Sequence, residues 1–143
     1  MPALTLEHAR TIVETALRTA QEKKLKPLAV AVLDAGGALK AFERQDGSSL
    51  MRSEIAQGKA RGAIALGMGS CAIFERAQEQ PYFVASLNTM AHGSLVPVPG
   101  GVLMRDEGGE IVGAVGITGD TSDNDEACAI AGIEAVGFVA DPG

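Results

Sequence analysis

The stretch Val30-Ala-Val-Leu-Asp-Ala-Gly-Gly-Ala-Leu-Lys-Ala-Phe-Glu-Arg-Gln-Asp-Gly47 decides the fold class of this chain. Its first part continues a short, β-rich apolar run over residues 28–33. Residues 34–37 then have the composition of a tight turn, and residues 38–44 alternate between apolar and polar side chains. Two such runs on either side of a glycine-containing turn are typical of a β-hairpin.

A second hairpin is predicted later in the chain. Residues 102–105 and 110–118 are mainly apolar and flank the turn sequence Asp106-Glu-Gly-Gly109. Two hairpins are not stable alone in water, and the simplest way to bury them is one antiparallel sheet covered by helices. Strictly alternating β-α-β units are absent. We therefore predict an α+β fold in one domain, residues 1–143.

Apolar positions at helical spacing predict the helices. Thr5 is the expected N-cap of the first, which ends at Lys23 and Lys24. Ser48 or Ser49 is the expected cap of the second. Residues 82–96 show no clear pattern. The later helices are predicted over residues 50–66, ended by Gly67, over 74–80, stopped at Pro81, and from 122 to about 138.

The composition limits the partners. The chain carries 18 acidic and 12 basic residues, for a formal net charge of −6, and it interleaves no basic residues with aromatic ones. Such a surface repels phosphate backbones, so nucleic acid is not expected as a partner. No apolar run approaches the roughly 18 residues of a membrane span, and residues 1–10 lack a secretory signal pattern. We expect a cytoplasmic protein with no membrane partner.

Cys71 and Cys128 lie in separate segments without the spacing of a metal site. In a reducing compartment both are expected to be unpaired thiols.

The segment from Gly113 to Asp120 carries glycines three residues apart, which remove side chains from a strand. Either a flat ligand such as a tetrapyrrole or a helix of the same chain could lie against it. Glycines also mark the adjoining turn over residues 97–101. We predict a pocket between that turn and this strand, with His92 and the acidic residues of the last helix at its rim.

Two features are candidates for chemistry. Four acidic residues lie between positions 120 and 126, Asp123 and Asp125 among them. Capping explains such charge at a helix start, with Ser122 and Asp125 resembling a capping box, and a divalent metal or acid–base role is the alternative. His92 is the candidate for proton transfer or iron ligation. The other imidazole, His8, is expected at the surface.

Three stretches carry a family resemblance: residues 30–47, residues 58–61 with the sequence Gly-Lys-Ala-Arg, and residues 99–119. In this order and spacing, the chain resembles the GlcG/HbpS family, which is related to the C-terminal domain of PduO-type proteins. The resemblance covers residues 4–138. It implies a profilin- or PAS-like antiparallel sheet flanked by helices, a homo-oligomer, and haem or iron as a ligand in some members.

The resemblance also implies a pocket at the two hairpins. Residues carried over as cofactor-binding are Arg44, Asp46, Lys59, Gly100, Gly101, Gly116 and Thr118. No axial haem ligand or metal-binding residue is assigned. Within the predicted second helix, Gly58 and Gly62 indicate close approach by another element or subunit, which also favours an oligomer.

Three functions follow. The first is a small-molecule-binding accessory protein of a catabolic pathway, with haem or another tetrapyrrole or iron ligand. The second is a small isomerase or lyase of aromatic or organic-acid catabolism, with His92, Asp123 and Asp125 as catalytic residues. The third is a structural oligomer without a ligand.

Overall fold

The computed structural model describes residues 3–143. Its five helices are α1 (Leu6–Glu22), α2 (Arg52–Leu66), α3 (Ser70–Glu79), α4 (Pro81–Met90) and α5 (Ser122–Ala135). Its strands are β1 (Ala29–Asp34), β2 (Leu39–Arg44), β3 (Gly101–Arg105), β4 (Ile111–Thr118) and β5 (Val139–Asp141).

The two predicted hairpins are present, and they join into one antiparallel sheet. The strand order is β2-β1-β4-β3-β5. The joint is the pairing of β1 with β4, which places Val30 opposite Ile117 and Ala31 opposite Gly116. The α+β fold expected from the sequence is confirmed.

The helices cover both faces of the sheet. On one face, Val30, Val115 and Ile117 pack in a core with α1 and α5. On the other face, α2 packs through Ala56, Ala60 and Ala63 on alternate residues of the same strands, most of which are small. Small residues on both partners let the backbone of this helix lie directly against β3 and β4, where a Cβ at Gly101 or Gly116 would clash with it. Because α2 lies so close, it occupies the space beside the glycines of β3 and β4, where the pocket was predicted.

The start of α1 is as predicted, and the start of α2 is not. Thr5 caps α1 as predicted: its side chain accepts from the His8 backbone N–H, and the His8 side chain accepts from the Thr5 N–H. The predicted serine caps of α2 are wrong. Met51 is the N-cap and makes no side-chain capping bond, while Ser49 accepts instead from the Arg52 side chain.

Three predicted boundaries were also wrong. Helix α3 begins at Ser70, before the predicted start, and Pro81 begins a further helix, α4, instead of only ending α3. Proline fits the first helical turn because the N–H it lacks has no partner there in any helix. Helix α5 stops at Ala135, and Gly137, with φ 87°, turns the chain into the unpredicted strand β5.

Candidate functional site

Among residues 3–143, the most buried charges belong to two predicted residues, Lys59 on α2 and Asp125 on α5. Their side chains are 2% and 1% exposed, and Lys59 Nζ lies 3.4 Å from Asp125 Oδ2. The ammonium also donates to the Ile117 carbonyl at 2.8 Å. The other oxygen of Asp125 accepts from the Asp120 backbone N–H at 3.0 Å. The predicted capping box of Ser122 and Asp125 is therefore wrong, and Thr121 caps α5.

Burial shifts the titration of both members of this pair. Loss of hydration lowers the pKa of Lys59, and the charge of Asp125 opposes that shift. Loss of hydration likewise raises the pKa of Asp125, against the attraction of Lys59. A pair this deeply enclosed offers no surface to a substrate, so its observed role is to connect α2 with α5.

The space that the glycines were predicted to leave as a pocket is filled by α2. A Cβ at Gly116 would clash with the carbonyl oxygen of Ala56, and a Cβ at Gly101 would clash with that of Lys59. A Cβ at Gly100 would lie 2.8 Å from Lys59 Nζ. A flat ligand or a helix of the same chain was expected against the glycines of β4, and in the structure the helix α2 lies there.

Thr118 completes this junction from the end of β4. Its hydroxyl accepts from Arg52 Nη1 at 2.8 Å, and the residue is 2% exposed. The structure thus brings together Lys59, Gly100, Gly101, Gly116, Thr118 and Asp125, with the polar atoms engaged inside the protein.

Arg44 and Asp46 lie elsewhere, around a shallow depression that also includes Pro27. Arg44 donates to the Ser48 carbonyl at 3.2 Å. The hairpin end that carries these two residues does not share the enclosure around Lys59.

His92 follows α4 in an exposed loop and has the left-handed φ of 56°. Lys24, which follows α1, has nearly the same φ of 57°, so this conformation is an ordinary way for the chain to leave a helix and does not by itself mark a functional site. His92 lines a cleft of about 250 Å³ with Glu54, Gln57 and Arg61 of α2 and with Ser94. No hydrogen bond joins its imidazole to any other residue within the range 3–143.

The predicted acid–base partners of His92 do not reach this cleft. Asp125 is enclosed with Lys59, and Asp123, exposed in the first turn of α5, is not among the lining residues. Glu54 is the carboxylate that lines the cleft, and it was not among the residues predicted from the sequence. The available signal was the spacing of Glu54, Gln57 and Arg61, which places three polar side chains on one face of a helix.

Two further findings concern the residues from 3 to 143. No group of three or more His, Cys, Asp or Glu side chains in this range is arranged to hold a metal ion. No helix within it is both long and apolar enough to cross a membrane.

Residues 4–134 match the family described as haem degrading protein HbpS-like. The chain belongs to the HbpS-like family. The resemblance carried by the two hairpins and the Gly-Lys-Ala-Arg stretch is thereby confirmed. A search of curated proteins finds no match.

Solved structures similar to this HbpS-like chain share its fold almost end to end. A PduOC:haem complex is 25% identical, with a TM-score of 0.86, over 96% of this chain and 97% of that one. A double mutant of HbpS from Streptomyces reticuli is also 25% identical, with a TM-score of 0.83, over 96% and 89%. Protein ORFY of Klebsiella pneumoniae, at 23% identity and a TM-score of 0.82 over 94% and 91%, is similar in fold.

Proposed function

We propose that this HbpS-like chain binds haem and that His92 would hold its iron. Membership of a family described by haem degradation supports haem as the ligand. The similarity to PduOC, solved in complex with haem, supports it further. Haem would supply redox or oxygen chemistry at its iron, and the chain's own residues would bind and orient it.

The hydrogen bonding of the two imidazoles supports His92 over His8 as the ligand of the iron. His92 is exposed, and no described residue holds either of its ring nitrogens. The Nδ1 of His8 already accepts from the Thr5 N–H at 3.2 Å, which places the proton of the neutral ring on Nε2. Ligation through that Nε2 would disturb the helix cap, whereas ligation by His92 breaks no hydrogen bond.

The surroundings of His92 suit the rest of the ligand. Arg61 lines the same cleft and could pair with a propionate, because its guanidinium matches a carboxylate. Exposed apolar side chains are near in the chain: Met90, 76% exposed, two residues before His92, and Met51, 59% exposed, one turn before Glu54. Neither methionine is among the residues that line the cleft, so their contribution to the binding of a macrocycle is part of the proposal.

The buried contacts between α2 and the sheet hold in place the helix that carries this site. The inner face of α2 is held against the sheet through Lys59, Gly101 and Gly116, and its polar face carries Arg61 into the cleft. We therefore propose that the residues first considered as cofactor-binding act by positioning α2. In this proposal the protein is a cytoplasmic accessory of a catabolic pathway.

The test is haem titration of the purified protein, followed by its Soret band. We expect a red-shifted band for the unaltered protein and loss of that ligation spectrum in His92→Ala. His8→Gln is the matched control, since Gln can still accept the capping hydrogen bond at that position. A His92→Ala protein with an unchanged haem spectrum would contradict the proposal.

A further inference from the structure

Asp46 and Gly47 form the tip of the turn that follows β2, and both residues are exposed. Within residues 3–143, no hydrogen bond or ion pair engages the Asp46 carboxyl group, and the Gly47 backbone N–H has no acceptor. The turn is closed around them, by the Ser48 N–H that donates to the Gln45 carbonyl at 3.3 Å. The structure therefore leaves a carboxyl group and the next backbone nitrogen free to react with each other.

The other aspartates of the described chain are restrained. Those whose carboxylates accept hydrogen bonds are Asp34, Asp106, Asp120, Asp125 and Asp141. Asp123 is exposed, but the N–H that follows it, that of Asn124, donates to Thr121 Oγ1 at 3.3 Å in the first turn of α5. Asp46 also differs in sequence, because it is the aspartate that glycine follows. A glycine has no side chain to hinder the approach of its nitrogen to another group.

We propose that the Asp46–Gly47 peptide is a modification site, at which aspartate converts spontaneously to isoaspartate. The Gly47 nitrogen attacks Cγ of the protonated Asp46 carboxyl group, so that a C–N bond forms and a C–O bond breaks. The amide proton and the carboxyl proton leave with that oxygen as one water molecule, and a succinimide ring results. Water then opens the ring at either carbonyl carbon: attack at Cγ restores aspartate, and attack at the main-chain carbonyl gives isoaspartate.

The product changes the turn in which it forms. In isoaspartate the main chain runs through Cβ of residue 46, which lengthens the turn by one methylene group and leaves the free carboxylate on Cα. The hydrogen bond between Gln45 and Ser48 spans this segment, and Arg44 Nη1 donates to the Ser48 carbonyl at 3.2 Å. Isomerisation thus alters the hairpin end that carries Arg44. The cleft of His92 is formed by other residues, so the reaction does not depend on haem binding.

Peptide mapping of the full chain during incubation in neutral buffer tests the proposal. Electron-transfer fragmentation locates isoaspartate, and methylation by a protein isoaspartyl methyltransferase measures its total amount. We expect isoaspartate to form at residue 46 at least about tenfold faster than at Asp123, a difference of about 1.4 kcal/mol in activation free energy. Asp123 is the matched internal control, because it is exposed but is followed by a nitrogen that is engaged. Because the turn holds neither reactive group, the rate at residue 46 should be within about tenfold of the rate in urea.

Two variants identify the reacting atoms. In Asp46→Asn the same attack releases ammonia instead of water, so residue 46 should gain the mass of an amide-to-acid conversion and still give isoaspartate. In Asp46→Ser there is no carbonyl carbon to attack, so methylation should fall to background. The residue is exposed and makes no hydrogen bond through its side chain, so we expect both variants to fold.

Four results would overturn the proposal. One is formation of isoaspartate at residue 46 no faster than at Asp123. Another is a rate in the folded protein more than about tenfold below the rate in urea, since the turn would then protect Asp46. The third is undiminished methylation of Asp46→Ser, and the fourth is the absence of deamidation in Asp46→Asn.

Discussion

Lys59 and Asp125 form an ion pair, 3.4 Å from Nζ to Oδ2, between helices that lie on opposite faces of the sheet. The ammonium reaches Asp125 beside Gly100, where a side chain would lie 2.8 Å from Nζ. The Ile117 carbonyl at the end of β4 accepts from the same ammonium. One buried contact thus ties both helical layers to the sheet.

We expect removal of either charge from this pair to destabilise the fold strongly. Asp125→Asn or Lys59→Met leaves one charge buried without its partner, and such losses cost about 3–5 kcal/mol. Urea unfolding measures the change. Glu134→Gln on the exposed side of α5 is the control, with an expected effect within about 0.5 kcal/mol. A change below about 1 kcal/mol in both charge variants would show that the pair is not needed to join the layers.

The Asp120 carboxylate is expected to titrate at unusually low pH. The side-chain amide of Asn124 donates to it at 2.7 Å and the Lys26 backbone N–H at 3.0 Å, which lowers its pKa from 3.8 to about 2. As pH falls, the Asp120 carboxylate is protonated in the unfolded chain at a higher pH than in the folded chain. The stability from Asp120 is therefore fully present above pH 3.8 and is lost as pH falls toward about 2. An NMR titration should find this pKa, and Asn124→Ala should raise it; an unchanged value would exclude the amide as its main cause.

Gly116→Ala is expected to separate α2 from the sheet. The added methyl group clashes with the Ala56 carbonyl oxygen, and overpacking of this kind costs about 1–3 kcal/mol or more. The control is Gly36→Ala, where the new methyl has only an ordinary contact 3.5 Å from Asp34 Oδ1. Thermal unfolding compares the two. Equal melting temperatures of the two variants would mean that α2 can move to accommodate the methyl group without loss of stability, against this prediction.

Both cysteines are expected to be free thiols, as the structure shows for Cys71 and Cys128. Cys128 is buried, and burial raises its pKa to about 11, so its thiolate is scarce at neutral pH. Thiol titration should find two groups in denaturant without reductant. In the native protein Cys128 should react far more slowly than the less buried Cys71. Finding no thiol in denaturant would contradict the expected reducing compartment.

We also expect the protein to form a homo-oligomer. Large apolar side chains are exposed on one protomer: Leu50 at 83%, Tyr82 at 71% and Met90 at 76%. Association would remove them from water. Light scattering at micromolar concentration should give a multiple of the protomer mass, and Leu50→Lys with Met90→Lys should lower it. A protomer mass for the unaltered protein would refute this expectation.

The sequence by itself determined the elements whose signals are local. The Asp34 and Asp106 turns form within five residues, and helix α1 follows from its periodicity and the Thr5 cap. Joining the hairpins followed because neither buries its apolar face alone. Local signals were ambiguous at Pro81, since proline is compatible both with ending one helix and with beginning the next.

Only the tertiary structure decided what lies against these elements. Glycine at 116 can lie beneath a ligand or a helix, and in the structure α2 packs against it. In sequence, Asp125 fitted helix capping, with metal binding or acid–base chemistry as the alternative, yet it pairs with Lys59, 66 residues away. Glu54 and His92 likewise line one cleft only because the fold brings α2 next to the loop after α4. Turns and helices are determined by hydrogen bonds between residues that are close in the sequence. These contacts depend instead on how closely whole layers of the fold pack, and no local sequence pattern specifies that distance.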